Sequence, residues 1–131
     1  MSDVIHRLAS ALDSDDYDAA ERLMEPQIQY ETDDAVVNGA HAVINSFRHV
    51  SEWGRDHLES LRFMHRIDER TPYEILFIDI LEAGAESLIL KHRMHVTLSA
   101  RGLVERLRLE SQPEEKDVVW EFFKRHGLIG P

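Results

Sequence analysis

Leu88-Ile89-Leu90-Lys91-His92-Arg93-Met94-His95-Val96-Thr97-Leu98 is the stretch that decides the fold. Leu88, Leu90, His92, Met94, Val96 and Leu98 fall on one side, against Ser87, Lys91, Arg93, His95 and Thr97 on the other. A period of two is the mark of a half-buried β-strand, because successive side chains leave opposite faces. Upstream, Tyr73 to Glu82 is apolar on both faces apart from Glu74 and Asp79, which predicts a central strand. Before it, Leu61, Phe63, His65 and Ile67 share a face opposite Arg62, Met64, Arg66 and Asp68, in a long strand expected over about 57–68. Downstream, Leu103, Leu107 and Leu109 oppose Arg106, Arg108 and Glu110. Glu69-Arg70-Thr71-Pro72, Ala83-Gly84-Ala85 and Ser99-Ala100-Arg101-Gly102 are turns, so the four strands form an antiparallel meander.

The first third of the chain reads as helix. Val4, Ile5, Leu8, Ala11 and Leu12 recur at helical spacing, with Ser2 or Asp3 as cap. Asp13-Ser14-Asp15-Asp16 interrupts that helix and caps a second, which turns Tyr17, Ala20, Leu23 and Met24 inward and is expected to end at Pro26. Ile28 and Tyr30 alternate with polar neighbours as a short strand, Asp33-Asp34 turns the chain, and Val36-Val37 forms a brief pairing strand. Asn38-Gly39 opens a third helix with the stripe Ala40, Val43, Ile44, Phe47 and Val50, its end weakened by Gly54. The spacing Ser111-Gln112-Pro113-Glu114 predicts a capping box before a last helix, with Val119, Phe122 and Phe123 inward and Gly127 as the stop.

At 131 residues the chain is expected to be one domain, and 43% hydrophobic with 31% charged residues suits a globular protein. Residues 1–40 carry ten acids against Arg7 and Arg22, a region read as solvated helix surface. With a formal charge of −10, neither nucleic acid nor an anionic membrane is an expected partner. There is no cysteine, which excludes disulfides, thiolate metal sites and cysteine nucleophiles. The chain start lacks a basic segment followed by an apolar run, and the longest unbroken apolar stretch is Ile75 to Ile78. The expectation is a soluble cytoplasmic protein.

Helices segregated to one face of a mainly antiparallel sheet give an α+β fold. Long twisted strands bend, and a bent sheet closed by helices encloses a conical cavity. Leu12-Asp13-Ser14-Asp15-Asp16-Tyr17-Asp18-Ala19-Ala20, Pro26-Gln27-Ile28-Gln29-Tyr30, Gly39 with Ile44 and Phe47, Gly102-Leu103-Val104 and Phe122 to Leu128 carry a resemblance over most of the chain. They resemble the nuclear-transport-factor-2-like superfamily, in particular its SnoaL-like, polyketide cyclase-like branch. The resemblance implies a cone-shaped fold, with N-terminal helices on a curved sheet plus a C-terminal helix. It also implies a homodimer and a pocket that serves isomerases, cyclases, dehydratases, epoxide hydrolases and non-catalytic binding modules alike.

A polar group on an apolar strand face costs about 1–3 kcal/mol unless it is paired. His65, Asp79 and His92 each occupy such a position, on strands expected to be neighbours. A buried carboxylate beside an imidazole orients it and raises its basicity, so Asp79, His92 and His65, with Tyr30 as hydroxyl, form the candidate catalytic set. Tyr73, Phe63, Met94 and Leu107 are the expected ligand-binding residues. The competing reading is a set of core polar residues satisfied by one another.

The resemblance separates the activities. Tyr30 matches the tyrosine of the superfamily's epoxide hydrolases, but Thr32 replaces their asparagine, and Phe77 and Leu109 stand where their relay needs Arg and Asp. Asp33 matches the ketosteroid-isomerase base only after a one-residue slip, and Met94 takes the place of the protonated acid. Dehydratase-like members use Asp with His, which Asp79, His65 and His92 resemble. No metal is expected: His41, Asn45 and His49 lie along a polar helix side, and no HExxH spacing occurs. With no glycine-rich phosphate loop and no nucleophile elbow, the expected chemistry is cofactor-free acid–base work on a small apolar ligand. The alternative is a non-catalytic ligand-binding or homodimerisation module.

Overall fold

A computed structural model describes residues 3–130. The elements are α1 (Asp3–Asp13), α2 (Tyr17–Arg22), β1 (Met24–Glu31), β2 (Val36–Asn38), α3 (Ala40–His57), β3 (Ser60–Arg66), β4 (Glu74–Ala83), β5 (Glu86–Leu98), β6 (Val104–Glu110) and α4 (Glu115–Arg125). The strands form one sheet in the order β2-β1-β6-β5-β4-β3. Every pairing is antiparallel except that of β1 with β6. This is the expected α+β arrangement. Of the two caps proposed for α1, Ser2 lies outside the described residues.

One core sits under α1 and the first half of α3. Ile5, Leu8, Ile28, Ile44, Ile75, Met94, Val104 and Leu107 are sealed from solvent there. A second, smaller cluster joins Leu58, Leu61, Leu81 and Ala83 to Phe122 and Phe123 of α4. Gly127, at φ 68°, ends α4: Leu128 N–H donates to Phe123 C=O and Gly127 N–H to Lys124 C=O, which satisfies two terminal carbonyls.

Several expectations are corrected. Pro26 does not end α2; it lies within β1, where the register to β6 shifts between Met24 and Gln29. A proline lacks the N–H that a regular ladder needs, and a bulge is where a strand tolerates it. Met24, expected on α2, is already in β1. The register shifts again between Thr97 and Leu98, with Glu105 left unpaired on β6. That extra residue puts Val104, rather than Leu103, in the core. Bulges bend the strands that carry them.

The strand expected from about residue 57 starts instead at Ser60, because α3 runs on to His57. Gly54 does not weaken that helix. It is buried, and a Cβ there would collide with the Leu61 side chain, so the missing methyl lets β3 approach. Val50, expected inward, is half exposed. The capping box at Ser111 does not form: α4 starts at Glu115, and its cap residue Glu114 makes no side-chain cap bond.

Candidate functional site

A cavity of about 290 Å³ opens between α1, α3 and the helix-facing side of the sheet. Leu12, Phe47, Val50, Phe63, Phe77, Met94 and Leu109 make its walls apolar, and Asp13, Tyr17, Tyr30, Asp79 and His92 are its titratable groups. Its size is at the lower end of the roughly 300–1,000 Å³ usual for ligand sites.

The register explains how the acid and the imidazole meet. Phe77 pairs with His92 and Asp79 with Leu90, so Asp79 and His92 are diagonal neighbours on one face. His92 Nε2 lies 3.4 Å from Asp79 Oδ2. The other ring nitrogen, Nδ1, lies 3.2 Å from Glu115 Oε2 of α4 and 3.4 Å from Ser111 Oγ. Burial alone would lower the His92 pKa, but the two carboxylates outweigh it and the pKa is raised. Both carboxylates are met at once only by an imidazolium, which donates from each nitrogen. Burial holds the Glu115 carboxyl above its ordinary range, with His92 opposing the shift.

His65 stands apart from this trio. Its Nδ1 bonds Asp13 Oδ2 at 2.5 Å, so it reaches the cavity only through Asp13. Asp13 Oδ1 is buried without a hydrogen-bond partner. Burial raises the Asp13 pKa; His65 opposes the shift and the Asp79 charge adds to it. Tyr30 is buried against Phe47, with ring centroids 4.9 Å apart. Burial, reinforced by the Asp79 charge, pushes the Tyr30 phenol well above its ordinary range, so it stays an O–H donor.

Asp13 is held in place by its neighbour. Asp15 adopts φ 57° and accepts from Tyr17 Oη (3.0 Å), Ser51 Oγ (2.9 Å) and Arg55 Nε (2.7 Å). Burial would raise the Asp15 pKa, but these donors outweigh it and the pKa is lowered. The α1–α2 link is thus pinned to α3, and Asp13 is carried to the cavity. Two of the acids read as solvated surface are therefore turned inward.

Of the residues singled out in the sequence, Asp79, His92, Tyr30, Phe63 and Met94 line the cavity. Tyr73 and Leu107 do not. Tyr73 precedes β4 and is 54% exposed, and it serves the sheet through its carbonyl, which accepts from Val96 N–H at 2.8 Å. Leu107 is sealed in the main core, and Leu109, two residues along β6, takes the wall position.

Asp13 and Glu115 are the residues sequence reasoning missed. Asp13 continues the buried positions Ile5 and Ala9 at intervals of four, which puts it on the inner face of α1. A carboxylate in the last turn of a helix also opposes the helix dipole, an anomaly that asks for a reason. Glu115 had no comparable signal.

No protein-family model matches the chain, and no curated protein does. Solved structures do. An NTF2-like protein of unknown function from Exiguobacterium sp. 255-15 aligns with a TM-score of 0.64 at 13% identity, over 84% of this chain and 98% of the other. TerC, co-crystallised with polyporic acid, aligns with a TM-score of 0.68 at 12% identity, over 90% and 95%. A candidate polyketide cyclase from Xanthomonas campestris pv. campestris aligns with a TM-score of 0.62 at 11% identity, over 86% and 90%. The chain has the NTF2-like fold.

Proposed function

We propose that this NTF2-like chain is a SnoaL-like protein that binds a small, neutral, oxygenated apolar molecule and moves a proton on it without a cofactor. The observation that carries this reading is one imidazole clamped between two carboxylates, Asp79 and Glu115, in the wall of an apolar cavity. An imidazolium at that point keeps Asp79 paired while Asp79 faces the ligand. Asp79 is then the base that takes a proton from a carbon next to a carbonyl, and the electrons move onto the carbonyl oxygen. The Tyr30 hydroxyl is the donor for that oxygen. Returning the proton to a different carbon gives isomerisation, attack by the enolate carbon on a second carbonyl gives cyclisation, and loss of a neighbouring hydroxyl as water gives dehydration.

A thermal-shift screen against short ketones, alcohols, epoxides and polyketide-like aromatics tests the reading. Saturable stabilisation by ketones or alcohols, reduced in Asp79→Asn, is the expected result. If no class stabilises the protein, and both Asp79→Asn and His92→Gln lose several kcal/mol, these groups are core partners and the reading fails.

We also propose that two copies pair through the sheet's outer face. Met64 (50% exposed) and Ile89 (58% exposed) stand out there beside Ile78 and Ile80. The ion pairs Arg62–Glu82 and Arg93–Glu74 lie on the same face and give it both signs of charge. A two-fold contact matches a surface to itself, which a face of mixed sign permits. Concentration-dependent sedimentation, abolished by Ile89→Asp, is expected; a monomer at every concentration removes the proposal.

A further inference from the structure

We infer that the ligand is an elongated neutral molecule whose reacting oxygen lies between two apolar arms, rather than at one end. The inference rests on the acid–base reading above and goes beyond it. A second hollow, a groove of about 760 Å³, runs between the C-terminal half of α3, strands β3 to β5, and α4. It shares Val50, Phe63, Asp79 and His92 with the cavity. Asp79 and His92 therefore border both hollows.

The groove continues the apolar character of the cavity. Trp53, Leu61, Leu90, Val119 and Trp120 form its walls, and Asp33, Asp34 and Lys116 also border it. Trp120 is 57% exposed there, an indole face without a full apolar cover. The groove runs beneath α4 between its two points of attachment, the buried Phe122 and Phe123 at one end and Glu115, which reaches His92, at the other.

A carbonyl placed at Asp79 would leave one arm for the smaller cavity and a longer one for the groove. A terminal aldehyde fills only one side. A terminal carboxylate would bring a further negative charge beside Asp79, Asp13 and Glu115, in a place where burial already disfavours ionised carboxyls. The class that fits is an internal ketone or secondary alcohol with unequal apolar arms. Its occupancy of both hollows is favoured over a second copy of the chain because the groove leads inward to titratable groups rather than ending at the surface.

The chain's two tryptophans, Trp53 and Trp120, both line the groove and neither lines the cavity. Intrinsic fluorescence therefore reports on the groove alone. The experiment titrates the full chain with a short ketone, a long-chain ketone with its carbonyl in mid-chain, and the isomeric long-chain aldehyde. Expected are thermal stabilisation by the short ketone with unchanged tryptophan emission, and an emission change with the mid-chain ketone. The mid-chain ketone should bind tighter than its aldehyde isomer by on the order of tenfold, since each additional buried methylene adds severalfold. Trp120→Ala should remove most of that preference and leave the short ketone's binding unchanged; Trp120→Leu should restore part of it.

If the short ketone binds but the two isomers bind alike, or emission never changes, the two-armed ligand is wrong and the acid–base reading stands. If no ketone of any length binds, both fall. An emission change that follows protein concentration without added ketone would assign the groove to a second copy and overturn the inference.

Discussion

Ile5 and Leu8 of α1 and Val43 and Ile44 of α3 are sealed from solvent, whereas beneath α4 the apolar side chains leave a groove. The same strands serve both regions. On β5, Met94 and Val96 belong to the closed core, Leu88 and Leu90 to the smaller cluster, and His92 stands between them. On β4, Ile75 and Phe77 lie on one side of Asp79, with Leu81 and Ala83 on the other. The lesson is one of division. A single sheet face secures the fold at one end and leaves open hollows at the other, with its titratable residues at the boundary.

The difference can be broken most directly by truncation. Leu8→Ala, in the closed core, should cost about 2–5 kcal/mol of unfolding free energy in a urea titration. Val119→Ala, on the groove wall, should cost less than about 1 kcal/mol. Equal losses would mean that both regions are packed alike. Gly54→Ala tests the point where α3 crosses from one region to the other. The added methyl meets Leu61, so a loss of about 1–3 kcal/mol is expected in the same titration.

The boundary itself should respond to pH. The folded-state pKa of His92 is raised, so its protonated form favours the native state. That contribution is complete below the ordinary value near 6.5 and is lost as pH rises through the folded value. Melting temperature should therefore fall more steeply above about pH 6.5 in the native chain than in His92→Gln. Asp79→Asn should cost under about 1 kcal/mol, because it relieves the charge that disfavours ionised Asp13 while it weakens the His92 pair. The smallest effect belongs to the exposed Lys116–Asp34 pair at the start of α4. Lys116→Ala should change melting by no more than surface pairs usually do, about 0–1 kcal/mol, and that little should vanish in high salt.

The meander was legible because Leu90 to Leu98 alternates around one exception, His92, and Asp79 and His92 were legible as polar breaks in apolar faces. Tyr30 and Phe63 followed from the same parity. Parity fails where a bulge adds a residue, which is why Leu103 was misplaced, and Pro26 read as a helix stop because its bulge depends on pairing with a distant strand. Tyr73 and Leu107 have residue types that suit a cavity wall, but the cavity selects by depth across the sheet. Glu115 reaches His92 through the seating of α4, a tertiary contact without local sequence signal. Asp13 was hidden differently: its helical spacing pointed inward, but it sits in an acidic run whose average behaviour is to face water.

The sheet's margins have a further consequence. Its outermost strands are β2, with three residues, and β3, which sets Arg62 and Arg66 on its outward face. A short margin gives an incoming extended peptide few free amides to pair with, and arginines penalise a flat apolar neighbour alongside. Sheet extension from chain to chain is thereby discouraged at both sides, which protects the protein from end-on fibrillar stacking even though its broad face displays isoleucine and methionine.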